Sequence, residues 1–347
     1  MVGIAEKEVA ALQKRYRDDI HARLKQAMES YDTPFFDLLR YHLGWLEADG
    51  SPSAAETGKG LRPVLCLTAC ELAGGDWRSA LPAAAGLELI HNFSLVHDDI
   101  QDQDDTRWGR ATLWKVHGKS AAIAAGNAMR VIADRTVLAL TESGVAPAMV
   151  ADAEAQFIQR YLEMIEGQYL DMSFEQAEQV TVDQYLDMIG KKTGALIESA
   201  MYLGALVGTG DRDVAHGFGS CGRRLGLAFQ IRDDYLGIWG DPAATGKPVG
   251  SDIRRKKKSL PIVHLFQQAT SAERTSLDAA YAKDEIEGGD VQKVLAMLDA
   301  HDAPAYVQRS AESHAEAAVR DLDSLNLPAD AKRKLEAMAE FFVTRSK

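Results

Sequence analysis

Apolar residues recur every three to four positions along nearly every long segment of this 347-residue chain. Leu89, Phe93, Val96 and Ile100 follow one another at such intervals, which is the spacing of one buried face of an α-helix. The alternation of apolar and polar residues that marks a half-buried strand is rare, and glycine and proline are concentrated at breaks such as AGGDW and GTGDRD. The pattern predicts an all-α fold, and we expect a single domain over residues 1–347.

The same periodicity predicts where individual helices begin and end. We expect helices near residues 5–30, 34–47, 63–73, 80–103, 119–142, 147–174, 182–206, 213–238 and 259–268, with three more toward the C-terminus. No internal repeat, low-complexity tract or linker separates them, which favours one domain over two.

Composition and charge limit the kinds of partner. The chain is 46% hydrophobic and 26% charged, and 39 Lys and Arg against 51 Asp and Glu give a formal net charge of −12. Because such a surface repels a phosphate backbone, we expect no nucleic-acid partner. The three cysteines are too few for a disulfide scaffold and indicate a reducing compartment. With no apolar targeting segment and no uncharged apolar run of about 18 residues, we expect no membrane span and a cytoplasmic location.

Five aspartates fall within eight positions of the string HNFSLVHDDIQDQDDTRWGR. Asp98 and Asp102 are four residues apart and share a helix face, so two ionised side chains about 4–6 Å apart repel by roughly 3–4 kcal/mol. A divalent cation removes that repulsion, and oxygen ligands without a calcium-binding loop favour Mg²⁺. For this motif alone, a solvated acidic helix end is the alternative.

A second aspartate pair strengthens the metal hypothesis. Asp233 and Asp234 end another apolar helix in FQIRDDYLGIWGD and are followed by a basic loop. On the first helix, His91 lies two turns before Asp98 on about the same face, although a histidine beside an apolar stripe is more often a core residue.

Cations lie near these motifs in three places, and each set alone could be a solvated surface. Lys59 and Arg62 precede a helix that we expect to begin at Pro63, so that two cations and a helix N-terminus converge on one anion. A second set lies in GKKTGAL and a third in TGKPVGSDIRRKKKSLP. Beside two Mg²⁺ sites, they indicate a bound diphosphate.

These groups are suited to breaking a C–O bond to diphosphate. Neutralised diphosphate becomes a leaving group, and the allylic cation that remains has to be kept from water in an apolar pocket. The chain lacks GxSxG, HExxH, the P-loop and a dinucleotide-binding glycine motif in its proper context, so hydrolase, zinc-protease, NTPase and dinucleotide functions have no support.

From about Gly58 to Pro261 these motifs resemble those of the trans-isoprenyl diphosphate synthases, the polyprenyl synthetase family. The resemblance implies an isoprenoid-synthase bundle of mostly antiparallel helices around a central cavity, assembled as a homodimer. It also implies an Mg²⁺-dependent prenyltransferase, with about three ions, that condenses an allylic diphosphate with isopentenyl diphosphate.

The resemblance implies a role for each matching residue. The metal ligands would be Asp98, Asp99, Asp102, Asp233 and Asp234. The allylic diphosphate would be bound by Arg107, Lys192, Thr193, Gln230, Lys247 and Lys257, and isopentenyl diphosphate by Lys59, Arg62 and His91. The metals and the reacting chain would be supported by Gln168 and Asp171 in EGQYLD, and product length would be set near Phe93 and Ser94.

Ser94 is too small to close a pocket below the first motif, which favours geranylgeranyl diphosphate as product. Phe93 could still form a floor deeper in the pocket, so farnesyl diphosphate and longer products stay open.

Three positions depart from the family pattern. Trp108 replaces an arginine that normally helps to hold isopentenyl diphosphate, and Arg110 would point elsewhere on a helix. Gly237 replaces an aspartate common in the second motif, and Asn127 replaces the aspartate of a usual AGD. Because tryptophan cannot supply the missing charge, the alternative function is a class I terpene cyclase or a prenyltransferase to another acceptor. A non-catalytic partner subunit is the third hypothesis.

Overall fold

The computed structural model describes residues 4–53, 55, 58, 60–246, 248–325 and 327–346. Across these residues the regular structure is helical, apart from one pair of two-residue strands and an isolated bridge between Leu46 and Pro52. The predicted all-α fold is confirmed. No helix within these ranges combines the length and the apolar character needed to cross a membrane.

The elements follow one another with short connections. The longer helices are α1 (Ile4–Met28), α2 (Pro34–His42), α3 (Leu61–Leu72), α4 (Leu81–Gln101), α6 (Lys119–Leu138), α7 (Pro147–Gln176), α8 (Val182–Ile189), α9 (Ala195–Thr209), α10 (Arg212–Trp239), α13 (Leu260–Gln268), α14 (Ser271–Tyr281), α15 (Gly288–Ala300), α16 (Ala303–Arg320) and α17 (Ala329–Thr344). The short elements are β1 (Thr106–Arg107), β2 (Arg110–Ala111), α5 (Leu113–His117), α11 (Pro242–Thr245) and α12 (Ser251–Arg254), with a π-helical turn at Gly190–Gly194 and 3₁₀ turns at Trp77–Ala80, Ala139–Ser143 and Asp323–Leu325.

Most predicted boundaries agree with these to within a few residues, and three do not. The helix predicted over 34–47 is too long, because Gly44 adopts a left-handed conformation and its N–H bonds to the Tyr41 carbonyl, which ends α2 at His42. The helix predicted over 182–206 is interrupted by the π-helical turn. Beyond residue 268, the described residues form four α-helices rather than three, α14 to α17.

The chain forms two compact units. The first-motif unit comprises Ala10–Tyr161 and Ser199–Gly219, and the second-motif unit comprises Met1–Val9, Leu162–Glu198 and Ser220–Lys347. Each unit contains one of the two aspartate motifs. The expected single domain stays a prediction.

In the first-motif unit, α4 packs closely against α6. A Cβ on Gly86 would lie 2.5 Å from Val137, and one on Gly126 would overlap the His97 ring. Gly86, early in α4, lies against Val137, late in α6, whereas His97, late in α4, lies against Gly126, early in α6. The two helices are therefore antiparallel. Close contact with α6 therefore supports α4 along the length that leads to the first motif.

The three cysteines lie in the buried core. Cys66, Cys70 and Cys221 are free thiols, and Cys66 and Cys70 lie on the inner face of α3. Burial raises the pKa of all three thiols, that of Cys70 to about 12, so these side chains behave as small apolar core residues.

In the second-motif unit, an aliphatic cluster holds the end of α10 in place. Ile238, from the last turn of α10, packs with Ile253 of α12, Ile262 and Leu265 of α13 and Leu298 of α15, and all five side chains are fully buried. Since each buried aliphatic side chain contributes about 1.5–3 kcal/mol, this cluster stabilises the packing of the end of α10 against α12, α13 and α15.

Two partly buried acids, Glu154 on α7 and Asp134 on α6, lie in the first-motif unit. Burial, and then the charge of Asp134, raise the pKa of Glu154 from 4.5 to about 7. Folding thus favours the protonated acid, and stability falls as the pH rises from about 4.5 through 7.

We therefore expect Glu154→Gln to increase the free energy of unfolding by about 1 kcal/mol at pH 8 and to change it little at pH 5, after allowing for partial solvent screening. Urea denaturation at both pH values measures this difference. The exposed Glu142→Gln is the control. Equal stabilisation by Glu154→Gln at the two pH values would contradict the assignment.

Candidate functional site

The first group of predicted site residues lies at the C-terminal end of α4. Asp98 and Asp102 share one face of the helix, and the Asp102 N–H donates to the Asp98 carbonyl at 2.8 Å. Asp98 is partly exposed and Asp102 is exposed. The two carboxylates can therefore meet a ligand from solvent.

Asp99 lies on a different face of α4 and is 1% exposed. Arg107 donates to Asp99 Oδ1 through Nε at 2.7 Å, and its terminal nitrogen lies 2.6 Å from the same oxygen. Burial raises the pKa of Asp99, and Arg107 opposes that effect. Asp99 Oδ2 is buried without a hydrogen-bond partner, and a bound cation is one group that would satisfy it.

A tight hairpin places Arg107. Strands β1 and β2 pair antiparallel, and the two residues between them, Trp108 and Gly109, have φ values of 52° and 76°, the signs that a type I′ turn requires. Arg110 lies across the turn and donates to the carbonyls of Tyr41 at 2.9 Å and Leu46 at 2.7 Å. The helical spacing assumed for Arg110 is thus wrong, because this segment is a hairpin.

Two histidines and Arg62 complete this group. Helix α3 begins at Leu61 and not at the predicted Pro63, so Arg62 lies inside its first turn. Burial and then the charges of Arg62 and Arg107 lower the pKa of His91 well below its usual value, which leaves the ring neutral. Burial and Arg107 likewise lower the pKa of His42 to about 3. His42 was not predicted, because it lies on α2 and no sequence spacing relates it to α4. Lys59 lies outside the described residues.

The second group lies in the last turns of α10, around Asp234. This carboxylate is 0% exposed and accepts hydrogen bonds from the Tyr185 hydroxyl, from Leu260 N at 3.0 Å and from Gln230 Nε2 at 3.3 Å. Lys257 Nζ lies 3.4 Å from Asp234 Oδ1, the oxygen that also accepts from Gln230. Burial raises the pKa of Asp234, and Lys257 opposes this. Asp234 thus joins α8, α13 and the segment that carries Lys257 to α10, and Tyr185 is a partner that the sequence did not reveal.

Asp233 is partly exposed and forms an ion pair with Arg345. Arg345 is only 6% exposed, its guanidinium lies 3.9 Å from the centre of the Phe229 ring, and its carbonyl accepts from Arg232. Arg345 is therefore held against the second motif. The sequence analysis missed Arg345, which is 112 positions away from Asp233.

The π-helical turn brings Lys192 and Thr193 to this group. A Cβ on Gly167 would lie 2.8 Å from the Lys191 carbonyl carbon and closer still to Lys192, so only glycine lets α7 approach this turn. Lys192 Nζ lies 2.5 Å from Asp171, and Thr193 donates to Gln230 Oε1 at 2.8 Å. Gln168 is buried on the same stretch of α7.

Four carboxylates act on Lys257. Burial lowers the pKa of its ammonium group, but the charges of Asp234, Asp252, Asp171 and Asp233 raise it overall. Lys257 is thus a permanently charged cation beside the second motif. Of the other predicted residues, Lys247 lies outside the described part of the chain.

Asn127 and Gly237 are the two remaining departures from the family pattern. Asn127 is exposed on α6, and nothing around it accounts for the replaced aspartate. Gly237 lies against Asp252.

The carboxylates of the two aspartate motifs suit a metal ion that binds together with a phosphate-containing ligand. In the part of the chain that the structure describes, no three His, Cys, Asp or Glu side chains converge as a ready-made metal site. Asp98 with Asp102, and Asp233 in its own unit, instead offer one or two carboxylates each. Mg²⁺ typically binds one or two carboxylates together with substrate phosphates, so these residues fit it.

Comparison with known proteins agrees with these features. The family model for polyprenyl synthetase matches residues 45–298. The chain is 39% identical over 320 residues to a geranylgeranyl diphosphate synthase of Mycobacterium tuberculosis, a match that covers 92% of this chain and 90% of that protein. It is 36% identical over 327 residues to the (2E,6E)-farnesyl diphosphate synthase of the same organism, covering 93% and 89%. The crystal structure of a polyprenyl synthetase from Streptomyces coelicolor A3(2) superposes with a TM-score of 0.89 at 34% identity, covering 97% of this chain and 100% of that one.

Proposed function

The chain belongs to the polyprenyl synthetase family and is a trans-prenyltransferase of the short-chain type, and we propose that it condenses an allylic diphosphate with isopentenyl diphosphate. The observation that carries this proposal is the end of α4. There Asp98 and Asp102 are accessible to solvent on one face of the helix, and Arg107 forms an ion pair with the buried Asp99 on another face. That arrangement suits a metal–diphosphate ligand and requires no nucleophilic side chain.

The proposal includes about three Mg²⁺ ions bound by Asp98, Asp99, Asp102, Asp233 and Asp234. When bound, Mg²⁺ withdraws charge from the diphosphate and makes it a better leaving group. Arg107, Lys192 and Lys257 add positive charge near the two motifs, and Lys247 has the same expected role. Arg107 and Lys192 are already oriented by the carboxylates of Asp99 and Asp171.

In the proposed reaction the C–O bond of the allylic diphosphate breaks, and the diphosphate leaves with the electron pair. The double bond of isopentenyl diphosphate then attacks the allylic carbon, and the released diphosphate takes the proton that is lost to form the new trans double bond. His91, kept neutral, can donate one hydrogen bond to isopentenyl diphosphate, whereas Arg62 and Lys59 supply charge. Thr193 is held by Gln230 and so presents its hydroxyl in a defined place.

We propose geranylgeranyl diphosphate as the product. Ser94 donates its hydroxyl to the His91 carbonyl at 2.8 Å, so this small side chain folds back onto α4. Phe93 is buried and packs edge-on against His97, with ring centres 4.8 Å apart. Neither residue adds bulk on the Asp98 face, which favours a longer product over farnesyl diphosphate.

The test is to incubate the purified protein with Mg²⁺, isopentenyl diphosphate and, in turn, dimethylallyl, geranyl, farnesyl and geranylgeranyl diphosphate, and to identify products by mass spectrometry. We expect elongation that stops at geranylgeranyl diphosphate. Turnover by this chain alone also excludes a non-catalytic partner subunit. Release of diphosphate without elongation would overturn the proposal in favour of the alternative below.

The alternative is a class I terpene cyclase or a prenyltransferase to a different acceptor, and Trp108 favours it. The indole is 40% exposed, and a Cβ placed on Gly58 would lie 3.4 Å from it. The ring centre lies 5.8 Å from the Arg107 guanidinium and 5.9 Å from the centre of the His42 ring. Arg110 is engaged by two backbone carbonyls and does not replace the missing charge. An aromatic ring therefore stands where the family has a cation for isopentenyl diphosphate.

If this alternative holds, Trp108→Arg should create or raise the use of isopentenyl diphosphate. The expected fall in KM is about tenfold, because a charge-assisted hydrogen bond contributes about 1.5–3 kcal/mol. Steady-state kinetics with varied isopentenyl diphosphate measures it, and Trp108→Phe, which adds no charge, is the control. An unchanged KM in Trp108→Arg would argue against the alternative.

We propose a homodimer, on the basis of an exposed apolar stripe along α7. Ile158, Leu162, Ile165 and Tyr169 are exposed at i, i+4, i+7 and i+11, which is the spacing of a seam between two helices. Leu162, 55% exposed, is near its middle. A second copy of the same chain would cover such a self-complementary face.

Leu162→Glu should shift the protein from dimer to monomer in size-exclusion chromatography with light scattering, because it places a charge in the apolar seam. The exposed Glu166→Gln on the same helix is the matched control and should stay dimeric. A Leu162→Glu protein that remains a dimer would contradict this interface.

A cytoplasmic location is part of the same proposal. It is supported by the free, buried thiols of Cys66, Cys70 and Cys221, which a reducing compartment preserves.

A further inference from the structure

The two aspartate motifs of this chain differ in their last position. The first reads Asp98-Asp99-x-x-Asp102, whereas the second reads Asp233-Asp234-x-x-Gly237. On a helix the fifth position lies one turn beyond the first and on the same face. The second motif therefore lacks, on its own helix, the carboxylate that Asp102 provides in the first.

Another carboxylate occupies the space that is left. A Cβ placed on Gly237 would lie 2.7 Å from Asp252 Oδ1 and closer to its Oδ2 and Cγ. In an aspartate the carboxylate oxygens lie about 2.4 Å from their own Cβ, across two covalent bonds. The oxygens of Asp252 thus lie at nearly the distance from α10 at which those of an aspartate at position 237 would lie.

The position of Asp252 is well defined by its surroundings. It lies in the first turn of α12, is buried, and its carbonyl accepts a hydrogen bond from Lys257 N at 2.9 Å. Lys257 Nζ lies 3.9 Å from Asp252 Oδ2 and 3.4 Å from Asp234 Oδ1. One ammonium group therefore links Asp252 to the second motif, and no other side chain than that of glycine fits at position 237 while Asp252 stays there.

We propose that Asp252 is the third carboxylate of the second motif and supports the Mg²⁺–diphosphate ligand from α12, as Asp102 does from α4. This rests on the metal site of the proposed function. Gly237 then marks a carboxylate that has been relocated in the fold and not one that has been lost.

The test uses inorganic pyrophosphate and Mg²⁺ with the full chain, by isothermal titration calorimetry, so that no turnover is needed. Asp252→Asn keeps the size of the side chain and removes its charge, and we expect it to weaken Mg²⁺-dependent pyrophosphate binding by at least tenfold. Asp278→Asn, an exposed acid of the same unit, is the control and should bind as the wild type does. Wild-type affinity in Asp252→Asn would overturn the proposal.

A relocation experiment separates this role from a merely structural one. Asp252→Ala removes the carboxylate and opens space beside Gly237, and Gly237→Asp alone introduces a clash. We expect each single variant to bind Mg²⁺–pyrophosphate weakly and the double variant, Gly237→Asp with Asp252→Ala, to recover at least tenfold over Asp252→Ala. Circular dichroism checks that all three variants fold, and a folded double variant that binds no better than Asp252→Ala would refute the relocation.

This outcome is independent of the product assay. If the wild type binds Mg²⁺–pyrophosphate and Asp252→Asn does not, the inference holds even when no elongated product forms. If elongation occurs and Asp252→Asn binds normally, the proposed function stands and the inference fails.

Discussion

Asp98→Ala is expected to reduce kcat for prenyl transfer by about 10²- to 10⁴-fold, since charge stabilisation by a metal ion contributes several kcal/mol to the transition state. The free energy of unfolding should change by no more than about 0.5 kcal/mol. The reason is that Asp98 is partly exposed at a helix end, and its removal relieves repulsion from Asp102 one turn away. Steady-state kinetics and urea denaturation measure the two effects.

Asp105→Ala is the matched control, because Asp105 belongs to the same acidic string but is exposed and pairs with Lys115 at 3.0 Å. An exposed ion pair contributes about 0–1 kcal/mol, so both kinetics and stability should stay near wild type. Near-normal turnover in Asp98→Ala would remove Asp98 from the proposed metal ligands. Equal losses in the two variants would show a general effect of acidic charge.

Asp234→Ala is expected to lower the free energy of unfolding by about 3–5 kcal/mol and to abolish activity. Its carboxylate is fully buried and is the shared acceptor of Tyr185, Leu260 N and Gln230, with Lys257 beside it. Its removal leaves the buried Tyr185 hydroxyl without that acceptor and takes the closest carboxylate from Lys257. Thermal and urea unfolding provide the measurement.

Asp233→Ala is the control for this prediction, because it tests whether the loss of stability in Asp234→Ala comes from the burial of that carboxylate. Asp233 is adjacent in sequence but partly exposed, and its ion pair with Arg345 joins the end of the chain to α10. We expect Asp233→Ala to lose activity as Asp98→Ala does and to lower the free energy of unfolding by less than Asp234→Ala, because Asp233 is partly exposed and Arg345 keeps its contacts with the Phe229 carbonyl and ring. If the two variants at 233 and 234 were equally stable, the anchoring function of Asp234 would be wrong.

The periodicity of apolar residues predicted the helices but not the π-helical turn or the hairpin that interrupt them. The apolar period of 3.6 predicts α4, α7 and α10 because each buries one continuous face. It did not predict the π-helical turn at Gly190–Gly194, which packs closely against the Gly167 backbone of α7. The hairpin at Trp108 and Gly109 was also missed, because a left-handed tryptophan is rare and leaves no compositional signal.

The all-α class, the two aspartate motifs and the net charge of −12 follow from the sequence alone, because helix period and i,i+4 spacing depend on neighbouring residues and net charge on composition. Which groups act on those motifs depends on tertiary packing. It placed Tyr185 on Asp234, Arg345 on Asp233 and the carboxylate of Asp252 beside Gly237. These partners are distant along the chain, and their meeting depends on how buried helices pack, which local periodicity does not specify.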